Sequence, residues 1–426
     1  MSTRKRILFV AENVTLAQIV RLVTLARGLD PELYEVHFAC SDFPDLVFLN
    51  TQFVRHPLDT LAPELAARAL EAGKRLYEKP TLLRYIAAER RIIEAIDPAL
   101  VVGDFRLSLP TSAELSGVPS AVLINAYWSP YARREGFPVP DHPIIKWLGE
   151  ARTEQYFPRA IPRVFQHFAS PINAARKKHG LAPVGSLLEV LTHADYTLYP
   201  DDPWLSPLDG APASHRFLGP VLWQPDLPDR PHKPLEGVSS PERGGPSGAL
   251  DFEGDPRPLV YVTLGSSGGV QLLPTIVEVL GRLPVVAVVA TAGRIELGEL
   301  PDNVVARTFV RGSDLAARAR LVVSNGGSTT GYQALSEGTP VLGLPSNFDQ
   351  YLATEVIVRS GAGICVKARQ ADAGNLRAAL TRALSDTELS RAAQGVRERF
   401  ARHDALATFR AFVAEACQLK ARSTAS

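Results

Sequence analysis

Two short polar segments of the sequence follow apolar runs and carry groups suited to binding a phosphate and a sugar. The first reads NGGSTT from Asn325 to Thr330 and precedes a predicted helix that ends before Gly338. Glycines let the backbone approach a ligand closely, and the N–H groups and positive dipole end of a helix favour an anion. Because no lysine follows the glycines, the segment is not a P-loop. The pattern favours a diphosphate site, although helix capping by Ser328 would explain the turn taken by itself.

The second segment, LPSNFDQYLA, sets the carboxylate of Asp349 beside the amide of Gln350 after another apolar run. In open α/β sheets, ligands bind at the carboxyl ends of the strands. A carboxylate and an amide suit sugar hydroxyls, since both accept hydrogen bonds and the amide also donates them. The pair is equally common at an ordinary helix start, so its meaning depends on the glycine turn before it.

A third segment, LGSSGG, matches the G-x-S-x-G pattern of a hydrolase nucleophile, with Ser267 at its centre. Asp349 and His403 follow in the order of a catalytic triad. No HGGG-type oxyanion segment precedes the motif, and a hydrolase would leave the Asn325–Thr330 turn unexplained. A serine hydrolase is therefore the less favoured alternative.

The elements that must position these segments follow a βα alternation. Short β-branched runs such as RILFVA and LVVGDF in the first half, and LVYVTLG and ARLVVSN in the second, alternate with longer amphipathic stretches. This pattern is typical of parallel sheets covered by helices. Between the halves, the segment from Gln224 to Pro258 holds eight prolines and almost no apolar periodicity, which indicates a linker. We expect a final helix after residue 404 to cap its own domain or to return to the first.

Composition excludes several classes of protein. The 426 residues carry a formal charge of +1, so no basic surplus indicates a nucleic-acid partner. Cys40, Cys365 and Cys417 are odd in number and far apart, which favours a reducing compartment and gives no metal-binding spacing. Glu12 and Asn13 interrupt the first apolar stretch, which argues against a signal peptide, and no apolar run is long enough to span a bilayer. We expect a soluble, cytoplasmic protein.

The stretch from Val304 to Gly363 resembles the donor-binding region of family 1 glycosyltransferases, the UDP-glucuronosyl and natural-product type with the GT-B fold. That family typically reads H-x-G-x-x-T, E-A-L, G-x-P and D-Q, and this chain reads NGGSTTGYQAL, GTP and DQ in the same order and spacing. The resemblance extends over most of the chain. It implies two Rossmann-like domains with parallel sheets facing a central cleft: an acceptor domain at 1–223, a linker at 224–255, a nucleotide-sugar domain at 256–404 and a terminal helix at 405–426.

The resemblance also implies roles for residues of the donor site. Those expected at the diphosphate are Ser266, Ser267, Asn325, Gly326, Gly327, Ser328 and Thr330; those at the nucleoside are Phe309, Arg311 and Gln333; those at the donor sugar are Asp349 and Gln350. The chain departs from the family at three places. Asn325 replaces a histidine, Gln333 replaces a ribose-binding glutamate, and Arg311 with Gly312 replaces a Pro-Gln pair. Base and ribose recognition are therefore less well defined than diphosphate binding.

The catalytic base is the largest departure. The alignment puts Asn13 at the position of the family's basic histidine, and an amide is not a base at neutral pH. Asp104, in LVVGDF, matches the carboxylate that orients this histidine. Three interpretations stay open: Glu12 or Asp104 is the base, directly or through water; the acceptor is acidic enough to need little help; or activity has been lost.

The acceptor end is indicated by aromatic residues in an irregular stretch after residue 126. These residues would line an apolar, flexible pocket or lid, or would simply pack in the core under long loops. They are Tyr127, Trp128, Tyr131, Phe137, Trp147, Tyr156, Phe157, Phe165 and Phe168. Arg133 and Arg134 nearby would permit an anionic acceptor or a peripheral approach to a membrane. The sequence does not address the oligomeric state.

Together these features predict an inverting glycosyltransferase that moves a sugar from UDP or dTDP to a small, largely apolar acceptor with a hydroxyl or acidic group, such as a natural product or lipid. No metal and no cofactor beyond the nucleotide-sugar co-substrate is expected, because the chain has no D-x-D sequence and the helix terminus would stabilise the leaving group. A catalytically silent nucleotide-sugar-binding relative is the alternative that Asn13, Asn325 and Gln333 suggest.

Overall fold

The computed structural model describes residues 4–71, 73–141, 145, 147, 149–224, 254–265 and 268–423. Ser266 and Ser267, predicted at the diphosphate, lie outside the described residues, as does most of the predicted linker, residues 225–253.

Within the described part of the chain, the first half forms a seven-stranded sheet in the order β3-β2-β1-β4-β5-β6-β7. Every neighbouring pair is parallel. The strands are β1 (Lys5–Ala11), β2 (Tyr34–Cys40), β3 (Val54–Pro57), β4 (Leu100–Asp104), β5 (Ser120–Leu123), β6 (Tyr196–Tyr199) and β7 (His215–Phe217). The central strands read as continuous apolar runs because helices cover both faces of a parallel sheet.

The helices of this half are α1 (Leu16–Arg27), α2 (Asp45–Phe48), α3 (Pro63–Glu71), α4 (Lys79–Ile96), α5 (Leu109–Ser116), α6 (Glu150–Lys178) and α7 (Leu187–Leu191), with a 3-10 turn at Ala126–Trp128. A capping box between Thr15 and Gln18 begins α1. Pro80 lies in the first turn of α4, where its missing N–H costs nothing. The irregular reading of the stretch after residue 126 missed α6, which spans 29 residues and contains Pro158, Pro162 and Pro171.

Among the residues that the structure describes, the second half forms a six-stranded parallel sheet in the order β10-β9-β8-β11-β12-β13. The strands are β8 (Leu259–Thr263), β9 (Val286–Ala290), β10 (Val304–Arg307), β11 (Leu321–Ser324), β12 (Val341–Gly343) and β13 (Gly363–Cys365). The helices are α8 (Leu273–Gly281), α9 (Gly312–Arg318), α10 (Ser328–Ser336), α11 (Phe348–Arg359), α12 (Ala373–Ser385) and α13 (Thr387–Phe400). The predicted pair of Rossmann-like domains is confirmed.

In both sheets the strand order reverses beside the central strand. Neighbours β1 and β4 leave Ala11 next to Asp104, and neighbours β8 and β11 leave Thr263 next to Ser324. Open α/β sheets bind ligands in the crevice at such a reversal. The NGGSTT segment follows directly after β11, and the segment with Asp349 and Gln350 follows the next strand, β12.

A terminal helix, α14 (Ala405–Ser423), packs against the core of the first domain. The ring centroid of Phe409 lies 6.1 Å from that of Phe9, and the ring of Phe412 lies 5.1 Å from that of Tyr196. Of the two placements that the sequence left open, the structure thus has the return to the first domain. No helix among the described residues combines the length and apolar character needed to cross a membrane.

Replacement of Phe409 by Ala should lower the free energy of unfolding by about 3–5 kcal/mol, because it leaves a cavity where a fully buried ring packs on β1. Urea denaturation followed by tryptophan fluorescence measures this change. Gln418→Ala, at an exposed position of the same helix, is the matched control and should change stability by less than about 0.5 kcal/mol. Equal stability of the two variants would contradict the placement of α14.

Candidate active site

A cavity of about 1600 Å³ lies between the two domains. Its walls come from both halves of the chain, and the glycine turn, the Asp-Gln pair and the first turn of α1 all contribute to it. The predicted donor residues that line it are Phe309, Asn325, Gly327, Ser328, Thr330, Gln333, Asp349 and Gln350. The segments that suggested donor binding therefore meet in one space.

The N-terminus of α10 opens into this cavity. Gly326 has φ 81°, and a Cβ there would lie 2.1 Å from Thr354 Oγ1, so the turn requires glycine. Gly327 is the N-cap residue and supplies no side chain to satisfy the first-turn N–H groups. Ser328 and Thr330 line the cavity with their hydroxyls. Such an N-terminus, with glycine at the turn and hydroxyls beside it, suits a diphosphate.

Asn325, at the position of the family histidine, shapes this turn. Its side-chain oxygen accepts a hydrogen bond from the N–H of Gly327 (3.2 Å), and the residue is buried. Side chains of this type commonly stabilise a turn two residues on. Asn325 therefore helps to hold the glycine turn, together with Ser324 Oγ, which accepts from the N–H of Gly326 (3.1 Å), and Thr354 Oγ1, which donates to its carbonyl oxygen (3.3 Å).

The predicted nucleoside residues lie at one end of the cavity. Phe309 is 46% exposed and lines the wall, so its ring can stack on a base. Gln333 donates from Nε2 to the carbonyl oxygen of Trp223 (3.2 Å) and to Ser313 Oγ (3.0 Å). Arg311 is not among the described lining residues and lies 3.9 Å from Asp314. The structure thus brings Phe309 and Gln333, but not Arg311, to the cavity.

Sequence reasoning missed Arg294, which lines the same end. Its guanidinium donates to the carbonyl oxygens of Gly265 (3.2 Å) and Gly268 (2.8 Å), the described residues on either side of the predicted Ser266 and Ser267. An arginine after the apolar run VVAVVATAG was the available signal.

The two residues of the Asp-Gln pair have different environments. Gln350 is buried, and its Oε1 accepts hydrogen bonds from the N–H and the hydroxyl of Ser346 (3.0 Å each). With Asn347 it forms the capping box of α11, so its side-chain oxygen maintains the loop. Asp349 instead projects into the cavity, where Oδ1 accepts from Trp128 Nε1 (2.7 Å) and Tyr127 OH (3.1 Å).

Asp104, the predicted orienting carboxylate or base, is fully buried and bound by Arg21. The guanidinium donates from Nε to Oδ2 (2.9 Å) and from Nη2 to Oδ1 (2.8 Å). Burial raises the pKa of Asp104 to about 6, although the charge and hydrogen bonds of Arg21 lower it. Arg21 lines the cavity and Asp104 does not; the third nitrogen of the guanidinium, Nη1, donates to Asn125 Oδ1 (2.7 Å). A charged residue within the apolar run IVRLV was the signal for it.

The other two catalytic candidates point elsewhere. Glu12 is buried, pairs with Arg106 (2.9 Å) and accepts a hydrogen bond from the N–H of Leu61 (2.9 Å). Burial raises the pKa of Glu12, and Arg106 lowers it. Asn13 donates to Ser41 Oγ (3.2 Å). Neither is among the described lining residues, so the geometry gives neither a direct path to an acceptor.

The apolar part of the cavity contains some of the aromatic residues singled out in the sequence. Trp128 lines the cavity, whereas Tyr127 is buried and Tyr131 packs edge-on against His215 at 5.2 Å. α6 contributes part of the apolar wall, through Tyr156, Phe157, Ile161, Val164, Phe165 and Phe168. The three- and four-residue spacing of these side chains was the helical signal that the prolines obscured.

The hydrolase alternative finds no triad among the described residues. Asp349 is bound by Tyr127 and Trp128, whereas His403 pairs through Nε2 with Asp202 (2.7 Å). The predicted acid and base therefore belong to separate hydrogen-bonded groups. Nor does the described chain contain a group of three or more His, Cys, Asp or Glu side chains that could hold a metal ion.

Comparison with known proteins gives relatives that match nearly the whole chain. It is 42% identical over 401 residues to a PGL/p-HBAD biosynthesis glycosyltransferase of Mycobacterium tuberculosis (strain ATCC 25177 / H37Ra), covering 94% of this chain and 90% of the relative. It is 40% identical over 400 residues to a PGL/p-HBAD biosynthesis rhamnosyltransferase of Mycobacterium bovis (strain BCG / Pasteur 1173P2), covering 94% and 85%. A protein of the same strain named an inactive PGL/p-HBAD biosynthesis glycosyltransferase is 43% identical over 283 residues, covering 66% and 72%.

Residues 271–406 match the family described as "Erythromycin biosynthesis protein CIII-like, C-terminal domain". Among solved structures, the spinosyn forosaminyltransferase SpnP superposes with a TM-score of 0.66 at 19% identity, covering 98% of this chain and 100% of that one. The spinosyn rhamnosyltransferase SpnG complexed with thymidine diphosphate gives 0.65 at 19%, covering 96% and 99%. At this identity the structures establish the common fold.

Gly326→Ala should lower the free energy of unfolding by more than the cost of placing alanine in a left-handed conformation. The reason is that the new Cβ would lie 2.1 Å from Thr354 Oγ1. Gly117→Ala is the matched control: its φ is 64° and nothing lies within 4 Å of its Cβ position, so it should cost only about 1–2 kcal/mol. Chemical denaturation compares the two. Equal losses would show that Gly326 does not pack against Thr354 as described.

Proposed function

Because the chain belongs to the glycosyltransferase family of the PGL/p-HBAD biosynthesis enzymes and has the GT-B fold, we propose that it transfers a sugar from a nucleoside diphosphate to a large apolar acceptor. The observation that carries this proposal is the N-terminus of α10 at Gly327 opening into the same cavity as Asp349. A diphosphate on the helix terminus would leave its sugar near this carboxylate. The apolar wall of α6 would then receive the acceptor.

For the donor we propose a dTDP-linked sugar, with a UDP-linked sugar as the alternative. One relative is named a rhamnosyltransferase, and one structural neighbour was solved with thymidine diphosphate. These names favour dTDP-rhamnose as the first donor to test. Phe309, with its exposed ring, would stack on the base, and Gln333 would lie beside the nucleoside.

The acceptor we propose is a natural product or lipid with an acidic hydroxyl, such as a phenol. The aromatic residues of α6 favour apolar bulk. At the polar side of the cavity the described lining residues include Arg21, bound to Asp104, and the exposed His167 of α6. A guanidinium there would stabilise an acceptor oxygen that has already released its proton to solvent.

In the proposed reaction the ionised acceptor oxygen attacks the anomeric carbon from the side opposite the leaving group, which inverts that centre. The bond between this carbon and the diphosphate oxygen breaks, and the nucleoside diphosphate leaves with the electron pair. The dipole and N–H groups at the start of α10 would stabilise the developing charge, so the step as proposed calls for no metal ion. Asp104 would act indirectly, by orienting Arg21.

A nucleotide-binding screen tests the donor proposal. In a thermal-shift assay with dTDP, UDP and GDP, we expect one of the first two to stabilise the protein, by about 2.7 kcal/mol at 100 times Kd. That nucleotide's sugar, with a phenolic acceptor, should then give stoichiometric release of the nucleoside diphosphate in a single turnover. Asp349→Ala should keep the nucleotide shift and lose the transfer. No shift with any nucleotide would contradict the donor site, and binding without transfer would indicate a catalytically silent relative.

The pH dependence of turnover tests the Arg21–Asp104 pair. Since burial raises the pKa of Asp104 to about 6, this carboxylate is ionised above pH 6 and takes up a proton below it, which weakens its hold on Arg21. We expect the kcat of wild type, divided by that of Asp104→Asn at the same pH, to halve near pH 6 and to fall about tenfold for each pH unit below it; the ratio removes the acceptor's own ionisation. Asp104→Asn should lower kcat at pH 7.5 while nucleotide affinity is kept, and should abolish the inflection.

The matched control for this profile is Asp209→Asn. Asp209 forms an exposed ion pair with Arg133, so its replacement should preserve the inflection near pH 6. An Asp104→Asn enzyme that retained the wild-type profile would show that another group titrates.

A further inference from the structure

One turn of the first domain contacts the predicted donor groups of the second. The turn follows β5 and contains Asn125, Tyr127 and Trp128. Trp128 Nε1 and Tyr127 OH both donate to Asp349 Oδ1, at 2.7 and 3.1 Å, and Asn125 Oδ1 accepts from Ser328 Oγ at 3.2 Å. The turn therefore touches both the carboxylate expected at the sugar and the first residue of α10.

We propose that this first-domain turn completes the donor-sugar site: Trp128 and Tyr127 are positioning residues that orient Asp349 toward the transferred sugar. The inference rests on the proposed function, since it requires a nucleotide sugar in the cavity. The sequence placed these two aromatic residues in the acceptor pocket and the donor-binding residues in the second domain. The proposal instead gives the first domain a part in holding the donor sugar.

The two oxygens of the Asp349 carboxylate have different hydrogen-bond partners. Both first-domain donors reach the same oxygen, Oδ1 of Asp349, and no described residue donates to Oδ2. Two hydrogen bonds from buried aromatic side chains to one carboxylate oxygen fix the carboxylate in one orientation. Oδ2 is left to accept from hydroxyls of a sugar. Burial raises the pKa of Tyr127 well above its ordinary value, so its hydroxyl stays a neutral donor.

The turn is itself held by a buried carboxylate that contacts both domains. Asp201 accepts from the N–H of Ala126 (2.7 Å) and from Asn125 Nδ2 (3.0 Å), and its Oδ1 also accepts from Tyr332 OH (2.5 Å) on α10. Asp201 thus fixes the turn relative to α10, the helix that would bind the diphosphate. Asp349 acquires its orientation only when the two domains are in contact.

This arrangement separates the contacts of the sugar from those of the nucleotide. The start of α10 and Phe309 belong to the second domain, so they can bind a nucleoside diphosphate without the turn. The sugar, by contrast, needs the oriented Asp349. Removing the indole N–H should therefore lower the affinity for a nucleotide sugar but not the affinity for the corresponding nucleoside diphosphate.

The test measures by calorimetry the Kd of dTDP and of dTDP-rhamnose for wild type, Trp128→Phe and Tyr127→Phe, or of UDP and UDP-glucose where the screen selects uridine. Tyr127→Phe keeps its ring and Trp128→Phe replaces the indole by a smaller phenyl ring, and each variant loses one donor. We expect dTDP affinity within about twofold of wild type, dTDP-rhamnose affinity and kcat/KM lowered about tenfold, and a larger loss in the double variant. Trp204→Phe, on an exposed ring stacked on Arg399, is the matched control and should behave as wild type.

A loss of affinity that is equal for dTDP and dTDP-rhamnose would mean a general structural effect and would overturn the inference, as would wild-type behaviour of Trp128→Phe. The binding comparison needs no turnover. If wild type binds the nucleotide sugar but transfers nothing, the proposed transfer fails, while the ratio of the two affinities still decides the role of the turn.

Discussion

Two carboxylates, one in each domain, accept hydrogen bonds from side chains of the other domain, and the candidate site depends on these hydrogen bonds. Asp349 of the second domain accepts hydrogen bonds from Trp128 and Tyr127 of the first. Asp201 of the first domain accepts one from Tyr332 of the second. Asp201 is fully buried, and burial raises its pKa while its donors lower it. An unpaired carboxylate in that position would be costly, so the contact between the domains and the geometry of the cavity are stabilised together.

The same requirement explains why neither Asp104 nor Glu12, the predicted carboxylate bases, lines the cavity. Asp104 and Glu12 follow adjacent strand ends, and each is paired with an arginine, Arg21 or Arg106. Removing one partner of a buried pair is far more costly than forming the pair is beneficial. These carboxylates are therefore suited to orienting a cation rather than to exchanging protons, which is consistent with an acceptor that ionises readily.

Local patterns predicted the fold well, because buried parallel strands read as apolar runs and glycine turns mark helix starts. They also predicted that the Asn325–Thr330 turn and the Asp349–Gln350 pair lie close together, since strand ends meet at one edge of a sheet. They did not predict α6, whose prolines suggested an irregular stretch, or the pairing of Arg21 with Asp104, which are 83 positions apart. Nor could they assign Trp128 to Asp349, because that contact depends on how two separately folded sheets approach each other.

The most direct measurement is a crystal structure of the protein with its nucleotide sugar bound. The account predicts that the diphosphate lies within hydrogen-bonding distance of the N–H groups at the start of α10. A sugar hydroxyl should contact Asp349 Oδ2 while Trp128 remains on Oδ1. A diphosphate bound away from Gly327, or a sugar that displaces Trp128 from Asp349, would contradict it.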